Sequence, residues 1–92
     1  MSELEVPTIL KPQDGATTTV DPDIEIKCTP GAKVMIYGLS SLTECTIGSD
    51  GLWTGRPARS LVPKKHTFHA VHVTGDDKSK PSPDVTFTAS NH

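Results

Sequence analysis

Eight prolines and seven glycines are spread along 92 residues, and no helix-length stretch is free of them. Proline removes a helical hydrogen bond and glycine resists helical ordering, so such a chain is restricted to short strands joined by turns. The segments between the breaks alternate as half-buried strands should. In "IEIKCT", Ile24, Ile26 and Cys28 fall on one face and Glu25, Lys27 and Thr29 on the other. Pro30-Gly31 signals a turn into "AKVMIYG", where Ala32, Val34 and Ile36 oppose Lys33, Met35 and Tyr37. Thr43, Cys45 and Ile47 repeat the pattern, as do Val85, Phe87 and Ala89.

The other segments are less regular. Val6 to Leu10 reads as a first strand whose Pro7 belongs on an edge. A turn at Asp14-Gly15 and a polar connection follow. Asp50-Gly51 turns into Leu52-Trp53, and "HTFHAVHV" (66–73) is the longest strand candidate. Phe68 and Ala70 favour one phase for it and Val71 and Val73 the other, so both phases stay open. "GDDKSKPSP" reads as a solvated loop. The expected fold is all-β, an immunoglobulin-like sandwich of about seven antiparallel strands in two sheets. Its core would include Ile26, Cys28, Val34, Ile36, Trp53 and Phe87.

Length and charge bound the function. The chain makes one domain, 1–92, with flexible ends expected at 1–5 and 90–92. Folding at this size buries roughly 60 to 65% of the extended chain's surface, which leaves little room for an internal cleft. A formal charge of −2 gives nucleic acid and anionic lipid no global attraction. The charge is uneven: residues 1–50 hold 8 acids and 3 bases, residues 51–92 hold 3 acids and 6 bases. That asymmetry hints at polar end-to-end contacts. No apolar run nears the ~20 residues of a membrane span. The acidic start "MSELEVP" lacks the basic and apolar regions of a signal peptide.

One resemblance spans nearly the whole chain. Pro7, Ile9, Pro12 and Asp14-Gly15, then "PGAKVMIYG" (30–38), "DGLW" (50–53), Leu61 and "HTFHAVHV" occur in an order similar to the bacterial Ig-like modules. Those modules are repeated in large surface adhesins and also decorate phage capsids and tails. The resemblance implies a structural or recognition role and a tryptophan packed into the core. The chain departs from the family pattern at Lys64-Lys65, where glycine is frequent, and at "TGDDKSKPSP", so a loop calcium site is not carried over. Cys28 fits the first half of an antibody-type disulfide, but Ala70 stands where the second half would be expected.

Candidate functional residues are few. Trp53 is expected to plug one end of the core rather than to stack on a sugar, since only four aromatic residues are present. Tyr37 is the aromatic best placed for outward display and is a candidate contact residue. Arg56, Arg59, Lys64 and Lys65 form the densest basic stretch, suited to an acidic protein surface but not to nucleic acid, which wants interleaved aromatics. His66 and His72 share a strand face roughly 20 Å apart while His69 points away, so the three cannot converge on a metal; near-surface positions are expected for them. Cys28 and Cys45 are expected to be buried free thiols. No nucleophile–histidine arrangement or metal-ligand spacing stands out, so no enzyme activity, metal or cofactor is expected.

Two roles follow as expectations. One is a decoration or tail-associated domain on a phage virion, held by a capsid or tail subunit. The other is a spacer or ligand-binding module of a secreted adhesin, with a neighbouring Ig-like module or a cell-surface glycan as partner; a carbohydrate-binding accessory domain is a weaker variant. The corresponding locations are the virion or the cell surface.

Overall fold

The computed structural model describes residues 4–39 and 43–90. Residues 1–3 and 91–92, the outer parts of the expected flexible ends, which include Glu3 and His92, lie outside the described residues. The described chain is all β, with nine strands in two sheets. They are β1 (Thr8–Lys11), β2 (Thr17–Thr19), β3 (Ile24–Lys27), β4 (Lys33–Tyr37), β5 (Glu44–Thr46), β6 (Leu52–Gly55), β7 (Lys65–Thr74), β8 (Asp77–Lys78) and β9 (Val85–Ser90).

One sheet has the order β1-β3-β6. The other runs β2-β9-β7-β4-β5, with β8 on β7. Ile24 and Ile26 from the first sheet meet Val34, Ile36, Phe68 and Phe87 from the second in one core cluster. Cys28 and Cys45 lie in the same cluster and are free thiols. The Phe68 and Phe87 rings pack edge to face at 5.7 Å, the arrangement that aromatic quadrupoles favour.

Three segments differ from the sequence expectation. The first strand begins at Thr8, and Pro7 is fully buried just before it instead of lying on an edge strand. After the cis Lys11-Pro12 peptide and the Asp14-Gly15 turn, the "polar connection" forms β2, which pairs parallel to β9. The sheets are therefore not wholly antiparallel. Asp14 fixes this crossing: its carboxylate accepts the Thr86 N–H at 2.8 Å, while Gly15 N–H bonds the Thr86 carbonyl.

The third difference is the "solvated loop" at 75–83, which contains β8 and lines the edge of β7. Ser79 and Ser82 each pair with β7 through a backbone N–H and a hydroxyl. Ser82 donates its N–H to the Ala70 carbonyl, and its Oγ accepts the Ala70 N–H at 2.9 Å. Ser79 does the same for His72, its Oγ accepting at 3.0 Å. The β7 carbonyls at 70 and 72 are thus met by serine backbone N–H groups and the β7 N–H groups by serine hydroxyls.

The phase of β7 is settled by its partners. Phe68 and Ala70 face the core, and His66 stacks on the inward Phe87 at 5.6 Å. Val71 is only 8% exposed but lies outside the core cluster, opposite Met35 on the outer face. Gly38 ends β4 with φ at +111°, and its backbone passes so close to Thr67 and Phe68 that a side chain there would strike β7.

Candidate functional site

Strand directions define two poles. At one pole β3 begins, β6 ends, β7 begins and β9 ends, bringing together Lys11, Asp21, Asp23, Arg56, Arg59, Lys64 and Lys65. At the other lie Glu5, the 48–51 turn and the Gly75 turn between β7 and β8. The principal extents are 47 × 21 × 18 Å, so the poles sit at the ends of an elongated body.

The first pole is tied by its own side chains. Between β2 and β3 the chain crosses from one sheet to the other through Val20-Asp21-Pro22-Asp23. Thr19 Oγ1 accepts the Asp21 N–H, a local turn bond that Thr readily makes. The 56–61 connection straps this crossing at three points. Arg56 Nε donates to Asp23 Oδ1 at 2.7 Å, the Ser60 hydroxyl donates to Asp21 at 2.8 Å, and the Leu61 N–H reaches the Val20 carbonyl at 2.8 Å. The Leu61 side chain is buried in the core cluster and anchors the strap.

Of the four basic candidates, Arg56 is therefore engaged within the domain. Its hydrogen bond and charge hold the Asp23 carboxyl below the usual carboxylate range, and Asp23 in turn raises the guanidinium. Lys11 similarly stands 3.9 Å from Glu25. An open groove of about 500 Å³ runs beside this pair, lined by Lys11, Pro12, Ala16, Thr18, Asp21 and Arg56, among others. Lys64 and Lys65 make no ion pair among the described residues; Lys64 gives its carbonyl to the Ala89 N–H. In all, this pole carries five bases (Lys11, Arg56, Arg59, Lys64 and Lys65) and three acids (Asp21, Asp23 and Glu25).

The opposite pole holds a cluster absent from the sequence reading. His72, expected near the surface, is only 5% exposed. Its Nδ1 is 3.1 Å from the Glu5 carbonyl, which also accepts the Cys28 thiol at 3.7 Å, and its Nε2 is 3.4 Å from the Thr74 hydroxyl. Thr29 donates its hydroxyl to the Glu5 carboxylate at 2.7 Å. The sequence left the phase of this strand open; in the structure His72 shares the face of Phe68 and Ala70, and the incoming 4–7 segment, with Glu5 67 positions away, lies against it. Burial pushes the Cys28 thiol up, and burial with Cys28 and Glu44 nearby pushes Cys45 up to about 11.

The aromatic candidates separate. Tyr37 is 42% exposed on the outer face and stacks on His69 at 5.3 Å, with His69 Nδ1 3.5 Å from Asp84. Trp53 is only partly buried; it faces inward from edge strand β6 beside Ile26, packs on the core and folds its ring across Gly55. Ile26, Cys28, Val34, Ile36 and Phe87 are buried. Among the described residues, no three His, Cys, Asp or Glu side chains gather to hold a metal ion. No buried side-chain N or O among them is left without a partner.

The chain matches no protein-family model and no curated protein. The fold and surface define a small, compact all-β domain, consistent with a structural or binding module.

Proposed function

We propose that this protein is a non-enzymatic structural and recognition module of the immunoglobulin-like kind that docks through its basic pole onto an acidic protein surface. The strand order supports the architecture: β1-β3-β6 faces β2-β9-β7-β4-β5, with the first strand divided between the sheets. The observation that carries the docking reading is that Lys64 and Lys65, with no ion pair among the described residues, lie at the end where Arg56 and Lys11 pair with Asp23 and Glu25. Such a patch steers encounter and fixes orientation more than it supplies affinity. A capsid or tail subunit of a phage virion is the partner this reading favours, and the virion the corresponding location. No cofactor, nucleic acid or membrane insertion enters the proposal.

A second reading has its own support. The β1 start and the β9 end lie at opposite poles of an elongated body, the layout of a spacer in a secreted adhesin with neighbouring Ig-like modules. In either setting, the exposed Tyr37–His69 stack is the candidate face for a glycan. The test is attachment of K64E/K65E to the purified native assembly across a salt series. Docking through the pole requires attachment to fall with the substitution and with salt; attachment indifferent to both overturns it. The mass of the native polypeptide separates the two settings: a band near 9.8 kDa favours the decoration, the same peptides within a much larger chain the adhesin.

A further inference from the structure

The two ends of the described chain leave the body in opposite directions along its strands. The 4–7 segment enters at the pole of the 48–51 turn, while β9 ends at the basic pole beside Lys64. Between them β1, β2 and β9 all run toward the basic pole. β1 opposes β3 and β9 opposes β7, each of which begins at that pole, and β2 lies parallel to β9. Tension between the two ends therefore pulls β1 and β2 back along their own axes and draws β9 forward along its own. Hydrogen bonds between strands lie across the strand direction, so such a load meets them in shear. The bonds of a sheared seam must give together, whereas a load across the strands opens them one at a time.

We propose that this domain is a load-bearing link, built to resist tension applied between its two ends, and that Asp14 is the lock of its main seam. Two seams take the load in turn. The first is β1 on β3, reinforced where the load enters. There the Thr29 hydroxyl holds the Glu5 carboxylate at 2.7 Å, His72 and the Cys28 thiol hold the Glu5 carbonyl, and Pro7 is fully buried. The second seam joins residues 14–19 to β9. Thr17, Thr18 and Thr19 pair in parallel with Thr88, Ala89 and Ser90. Just ahead of them, the Asp14 carboxylate accepts the Thr86 N–H at 2.8 Å, Gly15 N–H donates to the Thr86 carbonyl at 2.6 Å, and the Ala16 carbonyl accepts the Thr88 N–H at 2.9 Å. A side chain thus lengthens a seam whose strand, β2, has only three residues. Resistance to force is set by the rate of unfolding, not by equilibrium stability, so a short seam loaded along its length serves where a marginally stable small domain must hold. This role requires only that the chain be held at both ends. It goes beyond the docking reading and uses neither the Lys64 nor the Lys65 side chain.

Stretching single molecules in two directions tests it. One pair of handles is fixed to the two termini, so that the load runs along the strands. The other joins the N-terminus to position 76, in the turn between β7 and β8 at the same pole, so that the load runs across them. The second handle is introduced by Asp76→Cys; Asp76 is exposed, and the buried Cys28 and Cys45 do not compete for it. At one loading rate, rupture through the termini is expected at a severalfold higher force than rupture through the N-terminus and position 76. D14A should lower the first force and leave the second unchanged. D14N, whose amide oxygen still accepts the Thr86 N–H, should keep most of the wild-type force. Circular dichroism and urea midpoints verify that each variant is folded. Equal forces in the two directions overturn the proposal. So does a D14A loss that is the same in both, because that is the mark of general destabilisation, or a D14A force through the termini equal to wild type. K64E/K65E should leave the force through the termini unchanged, since Lys64 meets β9 only through its backbone carbonyl. Loss of attachment by that variant with full lengthwise strength, or the reverse, shows which of the two readings fails.

Discussion

The two poles solve the same problem by different means. At the basic pole the chain crosses between sheets under a strap of side chains: Arg56 to Asp23, Ser60 to Asp21, and Leu61 sunk in the core. At the opposite pole the chain reverses at glycine turns, and a buried histidine holds the 4–7 segment by its backbone. A strap between distant segments depends on one apolar anchor, whereas a polar knot depends on every donor finding its acceptor. The poles should therefore fail differently.

The largest effect is expected at the anchor. Leu61→Ala should cost about 2–5 kcal/mol, read as a lower urea midpoint, because a buried leucine leaves a cavity beneath the strap. An unchanged midpoint would show that the strap is held by its polar bonds alone. High pH should strike the other end of the molecule. Cys45 is raised from 9.0 to about 11, so between those values the unfolded thiol ionises while the folded one stays protonated, which favours unfolding. Its contribution is fully present below pH 9.0 and is lost as pH rises through about 11, on the order of 2–3 kcal/mol. Cys28 shifts in the same direction. Stability compared at the two ends of that window should fall for wild type and fall less for Cys45→Val; parallel losses would place the cause elsewhere.

The polar knot should break by a smaller amount. His72→Ala strips a donor from the Glu5 carbonyl and should cost about 1–3 kcal/mol. Amide exchange should quicken first in the 4–7 segment and leave the 56–61 strap protected. Exchange that quickens equally at both poles would erase the distinction between them. The smallest effect belongs to Arg56→Gln. Its exposed pair with Asp23 adds little to stability, but Asp23 should titrate higher without the guanidinium, as a carboxyl carbon NMR titration would read. A carboxyl that titrates as before would mean Arg56 does not set it.

Much of this architecture is legible along the chain, and the exceptions share one cause. The alternation of Ile24 to Cys28, Ala32 to Ile36 and Val85 to Ala89 assigns faces that the burial of those residues confirms. Strands β2 and β8 escaped notice because Thr17–Thr19 and Asp77–Lys78 carry no apolar alternation; each exists through the partner it pairs with. Trp53 illustrates a half-legible residue. Its packing on the core is expected from the apolar Leu52-Trp53 after the Asp50-Gly51 turn, yet its partial exposure follows from β6 being the edge of its sheet. The basic stretch from Arg56 to Lys65 was visible as a run, while the engagement of Arg56 depended on Asp23, 33 positions earlier.

Taken alone, the sequence determined that the chain is β throughout, where its turns fall, and which side of most strands faces the core. Those properties are local: they follow from proline, glycine and a period of two. The tertiary structure alone decided the parallel pairing of β2 with β9, the burial of His72 and the engagement of Arg56 by Asp23. Each depends on bringing together residues tens of positions apart, and no local pattern encodes which distant segment will arrive.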